Sequence, residues 1–222
     1  MSNCVIAIDG PSASGKSTVA RAVAARLGYL YADSGAVYRG LTWQMVRLGI
    51  GTADAAAVAE AVRRLAVDFE VAGCAVRMRI GGVDPGQEIR SRVVGERVSD
   101  VAAIPAVRQQ VNCWLRAMAE LGDLVMEGRD IGSVVFPQAA HKVYLDAQPE
   151  ERARRRHADF LSQREPQEVQ QVLSALQQRD RKDSGRTTAP LTVAPGAVVI
   201  DTTAQTADEV AQAILRHVGQ GR

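Results

Sequence analysis

The sequence predicts an α/β protein, a parallel sheet of five strands flanked by helices, and three observations carry that expectation. Strand-like and helix-like segments alternate along the 222 residues, the pattern that places helices on both faces of a parallel sheet. The strand candidates are short continuous apolar runs such as Cys4-Val5-Ile6-Ala7-Ile8, as expected of strands buried on both sides. A glycine-bounded loop joins that run to Val19, Val23 and Leu27, which recur at helical spacing.

The remaining elements follow in order. Tyr29-Leu30-Tyr31 is a brief second strand that runs into Asp33-Ser34-Gly35, and a helix carries Val37 to Leu48 before Gly49-Ile50-Gly51 ends it. Thr52 or Asp54 can cap the next helix, through about Leu65. Val67 to Val71 and Val76 to Ile80 alternate apolar and polar about Ala72-Gly73. That is an antiparallel hairpin with one wet face, expected to be an insert with its own small sheet rather than part of the main one. Pro105 opens a helix to about Leu121, and Leu124-Val125-Met126 and Val143-Tyr144-Leu145 are the third and fourth core strands. Pro149 and Glu150 open a charged helix, and Pro166 is placed to start another that ends near Arg181. Ala197 to Ile200 is the fifth strand. Thr206 or Asp208 caps a closing amphipathic helix with Val210, Ala213, Ile214 and Val218.

Composition excludes several classes. A net charge of +2 argues against a nucleic-acid partner, and no stretch approaches the ~20 apolar residues of a membrane span. The first strand begins at once, which leaves no room for a signal peptide. Cys4, Cys74 and Cys113 are odd in number and scattered, as in a reducing compartment. A monomeric cytoplasmic protein is expected. Lys16, Lys142 and Lys182 are the only lysines. Arginine forks suit phosphate oxygens, although a compositional bias would give the same skew.

The loop itself carries the first chemistry. Gly10-Pro11-Ser12-Ala13-Ser14-Gly15-Lys16-Ser17, followed by Thr18, has the strand before it and the helix after it that a phosphate-binding loop requires. Its glycines let backbone N–H groups converge on phosphate oxygens at the positive end of a helix. Lys16 would neutralise the outer phosphates of a nucleoside triphosphate, and the Ser17 hydroxyl would ligate Mg²⁺. An Asn-Lys-x-Asp motif for reading guanine is absent, as is an apolar run ending in Asp-Glu, so a small-molecule kinase remains.

A second site is then needed, and three clusters can supply it. Asp33 to Arg39 and Glu127 to Pro137 both follow strands at the edge where open α/β sheets bind ligands. Arg179-Asp180-Arg181-Lys182-Asp183-Ser184-Gly185-Arg186 adds cations and carboxylates. With the phosphate loop and Pro105-x-Val107-Arg108, these motifs over nearly the whole length make the chain resemble the bacterial cytidylate kinases, a branch of the nucleoside monophosphate kinases.

The resemblance implies a P-loop core in strand order 2-3-1-4-5, about residues 1–38, 100–148 and 187–222. It also implies a monophosphate-binding insert at about 39–99 and a helical lid at about 149–186. The implied reaction is transfer of the γ-phosphate of ATP, with Mg²⁺, to CMP or dCMP; UMP or AMP is the alternative acceptor. Ser34, Arg39, Arg129 and Arg186 would hold the acceptor phosphate, and Tyr38 would pack near base or sugar. Ser99, Arg108 and Asp130 would read cytosine, with Arg179 and Asp183 on the pentose. Glu127 is also assigned to the acceptor pocket, although it stands where Asp is common; Ser133 replaces a usual Thr. Lys16, Arg39, Arg129 and Arg186 are the expected catalytic cations.

Elementary chemistry fits that assignment. A monophosphate with a second pKa of ~6 is already a nucleophile at neutral pH, so no general base is needed, and His141, His157 and His217 fall outside the clusters. Arg152, Arg155 and Arg156 share a helical face that could close on the ATP phosphates, Arg155 and Arg156 being the expected ligands. The alternative is a solvated helix in which Glu150 pairs with Arg154 and Glu151 with Arg155. Arg77, Arg79, Arg90 and Arg92 are expected on solvated faces. Readings of another class are a slow nucleotide-operated switch and an RNA-binding protein.

Overall fold

The structure, a computed structural model, describes residues 3–162 and 167–220. Pro166, expected to start a helix, lies outside the described residues.

The described strands are β1 (Val5–Asp9), β2 (Leu30–Asp33), β3 (Val67–Ala72), β4 (Ala75–Ile80), β5 (Leu124–Gly128), β6 (His141–Asp146) and β7 (Val198–Asp201). They form one sheet in the order β3-β4-β2-β5-β1-β6-β7. The run β2-β5-β1-β6-β7 is parallel throughout and is the expected 2-3-1-4-5 core. The hairpin departs from expectation. β3 and β4 do pair antiparallel, but β4 lies parallel to β2 through Tyr31 and Ala75 and extends the main sheet to seven strands. Packing explains the placement. Met78 and Ile80 of β4 are buried in the main core, and a Cβ at Gly40 would meet Met78 Cε at 1.9 Å, so the glycine leaves room for that side chain.

Helices cover both faces. α1 (Lys16–Leu27) and α8 (Ala207–Gln220) lie on one, and Val19, Val23, Ile214 and Val218 pack there on Ile6, Ile8, Val125, Val143 and Leu145. α2 (Ser34–Arg47), α3 (Ala55–Arg64), α4 (Arg92–Ala103) and α5 (Pro105–Met118) lie on the other, with Leu41, Met45, Val111 and Leu115 against Ala7, Leu124 and Met126. Ile6, Ala7 and Ile8 thus alternate between two cores, as the period of a strand demands. Each fully buried side chain of this kind contributes roughly 1.5–3 kcal/mol. α6 (Pro149–Ser162) and α7 (Val169–Ser184) pack on each other through Ala153, Val172 and Leu176. α4 and the 3-10 turn before it (Gly86–Arg90) are additional to the sequence expectations.

Side-chain caps mark the starts of α2, α3 and α8. Asp33 accepts from the Ala36 amide at 3.0 Å and Asp54 from Ala57 at 2.9 Å. Thr206 and Glu209 exchange bonds across the first turn of α8, a capping box. A parallel sheet brings the loops after β1, β2, β5 and β6 to one edge, and the expected site residues gather there.

Candidate active site

The phosphate loop closes over the end of β1. Gly10 has φ 150°, and a Cβ there would stand 2.1 Å from the Leu145 carbonyl oxygen, so only glycine fits. Ala13 at φ 61° and Gly15 at φ 90° complete the curl. The first turn of α1 has no side-chain cap, which leaves its amides for an anion. Lys16 is buried, and its ammonium donates to Pro11 O at 2.5 Å and Ser14 Oγ at 3.3 Å. Burial pushes its pKa down to about 7. Arg129 and Arg179 push the same way, while Glu127 and Asp9 oppose. Thr18 is exposed on α1.

Glu127 belongs to this side of the cleft. Its carboxylate hydrogen-bonds Ser17 and accepts from the Tyr31 hydroxyl at 2.5 Å. Burial and then Asp33 raise its pKa, against Lys16, Ser17 and Tyr31. The side chain of Glu127, expected in the acceptor pocket, turns to Tyr31 and lies in the field of both Asp33 and Lys16. Its backbone oxygen receives Ser34 Oγ at 2.8 Å.

Opposite the loop lies an arginine cluster held by carboxylates. Arg39 donates to Asp33 at 2.7 Å, and Arg129 Nε to Asp183 at 3.0 Å. Arg186 Nε donates to the Asp183 carbonyl at 3.2 Å. Arg108 is almost wholly buried, donates to Ala102 O at 3.1 Å and pairs with Asp130. Its guanidinium lies 5.4 Å from the centre of the Tyr38 ring. Burial alone would raise the Asp183 carboxyl, but Arg129, Arg179 and Arg186 hold it below the carboxylate range. Burial, reinforced by Arg129, lowers Arg179 to about 10. Tyr38 Oη, Arg39 Nε, Arg108 Nε, Arg179 Nε and Arg186 Nη2 are buried with no partner among the described residues. Unpaired buried donors are rare in folded proteins, and these five crowd one cleft. Ser99 is half-buried on α4.

The arginines of α6 separate. Arg155 reaches the donor side: its guanidinium bonds Thr202 O at 2.6 Å and Thr202 Oγ1 at 3.1 Å, and lies 3.7 Å from an ideal Cβ at Gly15. Arg156 instead stacks 4.4 Å over Phe160, and its charge is felt by Arg179 and feels Arg39 and Arg90. Arg156, expected with Arg155 as an ATP ligand, thus lies in the field of the Arg39 and Arg179 cluster. Glu151 takes Arg155 at 3.2 Å, as the solvated-helix alternative has it, and also takes Arg154 at 3.1 Å in place of Glu150.

Sequence reasoning missed two residues here, Asp9 and Tyr31, and did not give the partners of Arg152 and Arg90. Asp9 accepts from the amides of Ile131 and Gly132. Tyr31 holds Glu127, and Arg152 is buried between Ser12 O and Asp180. Arg90 is exposed, as expected, and its guanidinium also comes within 4.0 Å of Asp33. An Asp directly before the first glycine was a readable signal for Asp9; the others depend on tertiary contacts. A cavity of about 460 Å³ lies at the far end of the sheet, lined by Cys4, Phe136 and Pro137 among others, and contains none of these residues. No described group of His, Cys, Asp and Glu could hold a metal unaided.

A family model described as Cytidylate kinase matches residues 6–220. The chain is 43% identical over 210 residues to "Cytidylate kinase" of Limosilactobacillus reuteri (strain DSM 20016), covering 94% of this chain and 92% of that one. It is 45% identical over 214 residues to "Cytidylate kinase" of Symbiobacterium thermophilum, covering 96% and 95%. The solved structure of a gluconokinase from Sinorhizobium meliloti 1021 is similar in fold, with TM-score 0.50 and 14% identity over 99% of this chain and 93% of that one.

Proposed function

The chain belongs to the cytidylate kinase family, and from that premise we propose how its cleft works. It transfers the γ-phosphate of ATP to CMP or dCMP, giving ADP and CDP or dCDP. The observation that carries the assignment of roles is the convergence of Lys16, Arg129 and Arg179: Arg129 and Arg179 both lower the pKa of the loop lysine, and Arg129 lowers that of Arg179. Two anions fit between them.

The phosphate loop, residues 10–18, holds the triphosphate, with Lys16 on its outer phosphates and Arg155 closing from α6. Ser34, Arg39, Arg129 and Arg186 receive the acceptor phosphate, and Arg156 stands with them. Arg179 and Asp183 meet the pentose. Tyr38, Arg108, Asp130 and Ser99 line the base pocket. Residues 39–99 then act as the acceptor-binding insert and 149–186 as the lid. The proposal takes the protein as a cytoplasmic monomer without a nucleic-acid partner, in line with its net charge of +2.

Repulsion is the barrier the site must overcome. Two unit negative charges ~4 Å apart cost about 4 kcal/mol at an effective dielectric of 20, and both substrates carry several. Lys16 and the arginines offset that cost and stabilise charge as it shifts between the two phosphates. Ser17 and Glu127 are hard oxygen donors on the same side of the cleft, and Ser17 favours the ionised Glu127 carboxylate. They suit Mg²⁺, which takes one or two protein ligands and completes its shell with phosphate and water. When bound, Mg²⁺ would supply positive charge against the β- and γ-phosphates.

Asp130, paired with Arg108, can accept a hydrogen bond from the cytosine amino group but has nothing to offer the uracil carbonyl. Rejection of an analogue that leaves a buried polar group unpaired can reach ~10⁴-fold. Turnover of ATP with CMP, dCMP, UMP and AMP tests the reading: CMP and dCMP should lead, and preference for UMP or AMP would refute the base assignment.

A further inference from the structure

We propose that Asp9 is a positioning residue for the acceptor, setting the height of Arg129 and Asp130 above the phosphate loop. This rests on the roles proposed for those two residues. The case begins at the end of β1. Asp9 is buried, paired through its backbone with Gly128 on one side and Tyr144 on the other, so its Cα is fixed from both flanks. Gly10 follows at once and starts the phosphate loop. Across the gap, the chain leaves β5 at Gly128, passes Arg129 and Asp130, and enters a π-helical turn, Ile131–Val135.

That turn satisfies its later amides internally. Val134 and Val135 donate to Asp130 O at 2.9 and 3.1 Å, and Phe136 to Ile131 O at 2.7 Å. The two amides that open the turn have no carbonyl within it to reach. Asp9 takes both: Ile131 N–H donates to Oδ1 at 2.8 Å and Gly132 N–H to Oδ2 at 2.7 Å. A single carboxylate therefore clamps the residues next to Asp130, from a strand 122 positions away in sequence. Lys16 and Asp130 are the charged groups that face it. Donor loop and base-reading segment thus share one ruler, the Asp9 carboxylate, whose two oxygens are taken by the Ile131 and Gly132 amides.

Asp9→Asn keeps the shape but presents an NH₂ to one of the two amides, removing one bond and opposing two donors. KM for CMP should rise about tenfold with KM for ATP within about twofold, because a buried N–H left unpaired is costly while β1 itself stays fixed. CMP-over-UMP preference should fall as well. A KM for CMP within twofold of wild type overturns the inference, and so does an equal rise in both KM values, which a general loss of structure would give. Asp130→Asn, assayed alongside, separates the two claims. If it leaves CMP-over-UMP preference unchanged, the base-reading role fails, while the KM split in Asp9→Asn still decides whether Asp9 places Arg129. Should Asp9→Asn not fold, amide exchange in the wild type decides: Ile131 and Gly132 must be protected, and free exchange at either sinks the proposal.

Discussion

The two halves of the cleft are built by opposite means. In the proposed reading the donor half is built on one continuous stretch, Gly10 to Ser17, shaped by backbone geometry and a helix start, with Glu127 and Arg155 added from β5 and α6. The acceptor half is assembled from β2, α2, α5, the end of β5 and α7, and its arginines are held by carboxylates: Arg39 by Asp33, Arg108 by Asp130, Arg129 and Arg186 by Asp183. A triphosphate meets amides already aimed at it. An acceptor phosphate must draw guanidinium groups away from internal partners, and only a ligand of high charge competes well. The donor half therefore confers affinity for phosphate in general, and the acceptor half confers discrimination.

The largest effect should come from removing the charge common to both halves. Lys16→Ala should lower kcat by about 10³-fold or more with the thermal midpoint little changed, since one preorganised charge at the reacting centre is worth that much; near-normal turnover would break the comparison at its root. Next, Asp130→Asn should reduce CMP-over-UMP preference by about 10²-fold while leaving KM for ATP alone, because the lost pairing lies wholly in the acceptor half. Equal damage to both substrates would show the halves to be one unit. A smaller effect is expected of Tyr31→Phe, which strips Glu127 of its hydroxyl partner. The Mg²⁺ concentration for half-maximal ATP binding should rise about threefold to tenfold, as for loss of a supporting contact to a metal ligand. An unchanged Mg²⁺ dependence would remove Glu127 from the donor side.

The subtlest prediction concerns protons. The Lys16 pKa is lowered to about 7, so part of the population is neutral at pH 8. A bound triphosphate raises that pKa, and ATP binding at pH 8 must take up a fraction of a proton. Calorimetry in buffers of different ionisation heat should show the uptake, and Lys16→Met should abolish it. Heats independent of buffer in the wild type would contradict the buried environment of Lys16.

The same contrast explains what could be read without a structure. Strand, loop and helix at residues 5–27 are contiguous, so local pattern was enough to place Lys16 and Ser17. The caps at Asp54 and Thr206 were legible for the same reason. The direction of the Glu127 side chain was not legible, because nothing local says which way a side chain at the end of a parallel strand turns. Its direction comes from Tyr31, 96 residues earlier. Likewise the hairpin looked independent, since its own pairing is local, while its junction with β2 rests on one register pair and on room left by Gly40. Arg152 lay on the face that was noticed, but its contact with Asp180 depends on how α6 meets α7.

The central claim is that donor and acceptor phosphates meet end to end between Lys16 and Arg129. An analogue with adenosine and cytidine joined by five phosphates spans both halves at once, and titrating it against ATP and CMP singly is the direct measurement. Linking should tighten binding by about 10²-fold or more over either nucleotide, and both Lys16→Ala and Asp130→Asn should weaken it. Affinity no better than that of ATP alone would mean that the two sites do not face each other.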